Sequence, residues 1–120
     1  MRTGVLLAAD SGQTLARVAR CEGALERMRG LLGRPALQPG EGLLIAPCNA
    51  VHTVGMRYAI DVVFMDAEGR VLNVRPALRP LRMAHAFRAR QVLELAAGEA
   101  ARLGLRPRRV VRWRELERAA

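Results

Sequence analysis

Apolar residues in this chain gather in short runs broken by Gly, Pro, Asp and Asn, and a single stretch carries a helical period. Val5–Ala9 and Thr14–Arg20, split by Asp10-Ser11-Gly12-Gln13, read as a hairpin whose second arm partly alternates through Leu15, Arg17 and Val18. From Glu22 the period changes. Ala24, Leu25, Met28, Leu31 and Leu32 fall on one helical face, which predicts an amphipathic helix packed on a sheet and stopped near Gly33 and Pro35. Pro39–Gly42 is a turn and Gly42–Pro47 a short buried strand, whereas Cys48–Tyr58 has no clean period and reads as a loop or irregular strand hinged at Gly55. Ile60–Met65, the turn Asp66–Gly69 and Arg70–Arg75 make the clearest hairpin. Pro76–Arg90, with two prolines and repeated arginine but no period, reads as an exposed loop. Gln91–Ala97 is a strand, Gly98–Leu103 a short helix ended by Gly104, and Arg108–Trp113 a last strand. Short antiparallel strands with two inserted helices predict a mostly β (α+β) fold, a small single-domain antiparallel barrel-like or curled sheet.

Length and charge narrow the function classes. With 120 residues, 51% of them hydrophobic, the chain is read as one domain over 1–120, with a core at 14–111 and a charged tail at 112–120. All 20 cationic side chains are Arg, which removes lysine Schiff-base and general-base chemistry. The net charge of +9 favours polyanions, yet the arginines run from Arg2 to Arg118, so at most weak, salt-sensitive, non-specific binding to a polyanion is expected. Two cysteines, Cys21 and Cys48, form neither a disulfide scaffold nor a zinc spacing, and reduced thiols are expected. The apolar stretch before Asp10 is too short for a secretory signal and no run is long enough for a membrane span, so a soluble cytoplasmic protein is expected.

Candidate chemistry concentrates between Cys48 and Phe64. Asp61 opens an apolar strand and needs partners to stay charged there; Arg34 and Arg29 are suitable, and an Asp61–Arg34 ion pair joining the helix end to the central hairpin is expected. Glu94 lies between Leu93 and Leu95 and points to the opposite face, toward an Arg across the sheet or a pocket shared with Asp61. Cys48, His52 and Asp61 have the side-chain types of a thiolate enzyme, provided thiol and imidazole meet. Cys48, His52, Met56 and His85, with Met83 beside them, are the types of a soft-metal site. Neither spacing demands its chemistry. The favoured reading is a non-enzymatic module without cofactor or resident metal, which binds a small molecule or protein partner through Arg29, Arg34, His52, Met56, Asp61 and Glu94.

Three blocks, Met28-Arg29-Gly30-Leu31-Leu32-Gly33-Arg34, His52–Phe64 and Val92-Leu93-Glu94-Leu95-Ala96-Ala97-Gly98, resemble the family known as domain of unknown function 192, also called uncharacterised protein family 0127. The resemblance runs from about Thr14 to Val111 and implies a small barrel-like β domain without an established activity. By that resemblance the characteristic positions are Arg29, Gly30, Leu31, Arg34, Asp61, Phe64, Glu94 and Gly98, and the chain is similar to the subgroup with His52-Thr53 where other members carry Trp-Met.

Overall fold

The computed structural model describes residues 1–21 and 23–116. Nine strands and two short helices are found among them: β1 (Arg2–Ala8), β2 (Thr14–Arg20), α1 (Gly23–Arg29), β3 (Glu41–Ile45), β4 (Ala50–His52), β5 (Ile60–Met65), β6 (Val71–Leu78), β7 (Met83–His85), β8 (Gln91–Ala96), α2 (Glu99–Arg102) and β9 (Val111–Glu115). Seven strands form one sheet in the order β6-β5-β8-β3-β2-β1-β9, and β4 pairs with β7 in a separate ribbon. The sheet is mixed rather than antiparallel throughout, because β2 and β3 run parallel across the α1 connection. It does not close into a barrel. Its outer strands are joined at one corner, where Val71 and Val111 donate to the carbonyls of Arg109 and Gly69 and Arg70 bridges to Val110.

Strands β3, β5 and β8 are apolar nearly throughout because both of their faces are covered. On one face Leu44, Val63, Met65, Leu93 and Leu95 pack with Ala100 and Leu103 of the α2 region and with Leu6 and Val111. On the other, Leu43, Ile45, Ile60, Val62, Phe64 and Val92 pack with Leu31 and with Ala84 of the ribbon. Side-chain alternation along β8 therefore assigns Glu94 to the ribbon face, and alternation along β5 assigns Asp61 to the α2 face.

Several expectations need correction. The helix ends at Arg29, and its apolar positions do not pack on the sheet: Leu25 and Met28 are 82% and 75% exposed, and no residue of α1 is buried. Leu31, which shares their period, is buried only after the chain turns at Gly30 with φ 52°. Cys48–Tyr58 takes the irregular-strand alternative, with β4 inside it, whereas Pro76–Arg90, read as a loop, contains the end of β6 and all of β7. Pro76 is accommodated because β6 is an edge strand. Strand β9 extends to Glu115, into the stretch read as tail, of which residues 117–120 lie outside the described residues.

Candidate functional site

Glu94 carries the chemistry of the ribbon face. It sits in the middle of β8, opposite Leu43 and Val62 of the flanking strands, and is 4% exposed. Burial raises its carboxyl from the ordinary 4.5 to about 7, with no hydrogen bond or charge opposing the rise among the described residues. The side chain lines a cavity of about 60 Å³ shared with Gly30, Ile45, Val51, His52 and Met56 and roofed by Arg27 and Met28 of α1. A Cβ at Gly30 would make only ordinary contact with the carboxyl oxygen, at 3.5 Å, so the glycine here serves its left-handed φ of 52°. Leu31, Leu32 and Met56 also line an adjoining hollow of about 470 Å³ that reaches Gly55, Arg57 and Tyr58. The Tyr58 hydroxyl is buried without a hydrogen-bond partner among the described residues, and burial followed by the nearby Glu94 charge raises its pKa. The buried Glu94 carboxyl and the orphaned Tyr58 hydroxyl belong to residues that line two adjoining hollows, and native interiors rarely leave such groups uncompensated without a reason.

Of the six residues expected to bind, Arg29, His52, Met56 and Glu94 line this cavity. Arg29 turns its guanidinium away: its Nε donates to the Leu32 carbonyl at 2.8 Å and its Nη2 to that of Gly33 at 3.4 Å. Arg34 likewise donates from Nε to the Gly30 carbonyl at 2.7 Å. Both arginines therefore close the turn after α1, where backbone acceptors lie within reach of their own side chains, and the expected Asp61–Arg34 ion pair does not form. Asp61, 1% exposed on the opposite face, is held by backbone amides instead. Its Oδ1 accepts from Ala77 N at 2.8 Å, and its Oδ2 from Gly98 N at 3.0 Å and Ala100 N at 2.9 Å. Glu94 accordingly pairs with no Arg across the sheet and shares no pocket with Asp61.

The thiol and metal sets are not assembled either. Cys48 Sγ donates to the Ala50 carbonyl at 3.1 Å, and burial pushes its pKa up. Cys48 lines a hollow with Pro47, Asn49, Ala89 and Arg90, whereas His52 borders the Glu94 cavity. Cys21 is buried and its thiol is pushed up to about 11, chiefly by desolvation. Among the described residues no three His, Cys, Asp or Glu side chains are grouped to hold a metal ion. His52 and His85 are both exposed on the ribbon, where His52, at the border of the Glu94 cavity, is paired with Met83 and His85 with Ala50.

Two structural residues escaped the sequence. Thr53 is fully buried and clamps the ribbon end: its Oγ1 donates to the Arg79 carbonyl at 2.7 Å and accepts from Arg82 N at 2.9 Å. Tyr58 gives no sequence signal, because a hydroxyl becomes an orphan only once its neighbours are in place.

A crystal structure from Sinorhizobium meliloti 1021, of a protein provisionally described as a transcription regulator, shares the fold with a TM-score of 0.81 at 22% identity over 94% of each chain. One of a protein of unknown function from Novosphingobium aromaticivorans DSM 12444 aligns with a TM-score of 0.74 at 27% identity, covering 92% of this chain and 84% of that one. No curated protein matches the chain. The model of the domain of unknown function 192 family, described as Uncharacterized ACR, matches residues 6–113, and the chain belongs to that family.

Proposed function

We propose that this domain is a non-enzymatic binding module that seats the cationic head of a ligand, an amine or guanidine, on Glu94. The observation that carries this reading is a buried carboxyl that lines a cavity and has no hydrogen-bond or charge partner among the described residues. Ionising Glu94 alone is unfavourable; an entering ammonium or guanidinium supplies the missing counter-charge and converts the penalty into an ion pair. The cavity of about 60 Å³ suits a head group the size of two waters, at roughly 30 Å³ each. The adjoining hollow, walled by Leu31, Leu32 and Met56, suits an apolar body that ends near the Tyr58 hydroxyl. Met28, exposed on α1, adds an apolar side chain to the lining of the Glu94 cavity. A free amine and a lysine or arginine side chain of a protein partner offer the same chemistry. Against a thiolate mechanism stand the bond from Cys48 Sγ to the Ala50 carbonyl and the placing of Cys48 and His52 on different hollows.

The test is an amide-shift NMR titration with n-butylammonium and n-butylguanidinium, using butyrate and n-butanol as controls. Saturable shifts at Gly30, Met56, Tyr58 and Glu94 are expected with the cations only, lost in Glu94→Gln. Affinity should fall about tenfold per pH unit below 7, as the carboxyl takes up its proton. Equal response to butyrate, or an unaltered response in Glu94→Gln, refutes the reading. A peptide with an exposed Lys separates the two sources by its affinity relative to the free amine.

A further inference from the structure

The ribbon that covers the Glu94 face has an outer side left exposed by the described residues. Alternation in β4 and β7 turns Val51 and Ala84 inward and His52, Met83 and His85 outward. Beyond the strand ends the apolar exposure continues. Leu81 is 70% and Phe87 88% exposed, and Val54 lies next to Leu81 because Leu81 N donates to the Thr53 carbonyl. Phe87 and Arg88 form the tip of a turn closed by the Ala89 N to Ala86 carbonyl bond. Large apolar side chains grouped on a monomer surface mark a contact.

Charge narrows the partner. No Asp or Glu occurs anywhere in residues 46–60 or 69–93, and Arg79, Arg82 and Arg88, all exposed, alternate with the apolar side chains. Segments that carry arginines and no carboxylate of their own disfavour self-association through this face and favour an anionic surface. We infer that this outer face of the ribbon, with Val54, Leu81, Met83 and Phe87 set among Arg79, Arg82 and Arg88, docks on an anionic phospholipid membrane. Arginines meet the lipid phosphates while the protruding side chains enter the acyl boundary, the combination that interfacial anchoring needs. A nucleic-acid backbone would use the arginines and leave the apolar tips in water. Leu81 adds an independent sign: it holds φ 62°, a left-handed conformation that Asn or Gly occupies at lower cost, although it is 70% exposed. The inference does not depend on the reading of Glu94.

Co-sedimentation with phosphatidylcholine vesicles, with and without about 30% phosphatidylglycerol, tests it. The protein should bind the anionic vesicles and not the neutral ones. Leu81→Asn/Phe87→Ser should reduce that binding at least about tenfold, given the apolar area withdrawn from the bilayer. The same variant should retain parental binding to heparin and a melting temperature at or above that of the parent. Phe87→Trp should show emission quenched by brominated lipid beyond the parental Trp113 signal. Vesicle binding unchanged in the double variant would mean charge alone is at work and would overturn the proposal. So would an equal loss of heparin binding, which would identify a polyanionic polymer or acidic protein as the partner.

Discussion

Replacing Glu94 by Gln removes a titration from the middle of the sheet and leaves the shape intact. Moving a carboxyl from 4.5 to about 7 corresponds to about 3 kcal/mol, at roughly 1.4 kcal/mol per pH unit. The sign follows from linkage. Below pH 4.5 the group is protonated in both folded and unfolded chains and contributes nothing; as pH rises from 4.5 to 7 only the unfolded chain releases the proton, so the folded state loses stability; above 7 the full loss is in place. Glutamine does not titrate. The variant should therefore match the parent near pH 4 and exceed it by about 3 kcal/mol at pH 8.5, or about 10 °C in melting temperature for a chain of this size. Urea unfolding at half-unit steps from pH 4 to 9, fitted with a common m-value, measures the difference directly. Parallel curves for the two proteins would show that Glu94 is compensated in the folded chain. A less stable variant at pH 8.5 would show that the carboxylate has a partner.

Asp61→Ala should destabilise the fold by about 3–5 kcal/mol, since it strips three amides of their acceptor at about 1–3 kcal/mol each with overlap between them. Asp61→Asn keeps a single acceptor oxygen, aims an amide at a donor, and should cost about 2–4 kcal/mol; chemical denaturation within about 1 kcal/mol of the parent for either variant would contradict this anchoring. Both thiols should react with iodoacetamide at pH 7.5 more slowly than glutathione in the folded protein and freely in urea, because burial raises both pKa values; rapid alkylation of Cys48 followed by mass spectrometry would revive a thiolate role. Gly69→Ala should lower the melting temperature far more than Gly98→Ala. The two share a left-handed φ, of 86° and 93°, but a Cβ at Gly69 runs into the Val111 carbonyl whereas the space at Gly98 is empty; equal effects would mean that backbone strain alone sets the cost.

The residue pattern by itself determined what depends on neighbours close in sequence. The β1–β2 hairpin and strand β5 are legible from turn residues and apolar runs, and three spaced blocks carry the family resemblance. Tertiary structure decided everything that depends on which surface lies opposite. Strands of three residues have no readable period, so β4 and β7 exist only because each finds the other some thirty residues away and Thr53 locks their end. The helical period of α1 was real, but this seven-residue helix buries none of its residues against the fold, and Leu25 and Met28 stay in water. Asp61 and Glu94 look alike in sequence, each a carboxylate among aliphatic residues. Alternation sends them to opposite faces, where one meets the amides of α2 and the β6 bulge and the other meets an open cavity. That difference separates a structural anchor from a binding group, and it arises because the layer covering a sheet face is supplied by distant parts of the chain.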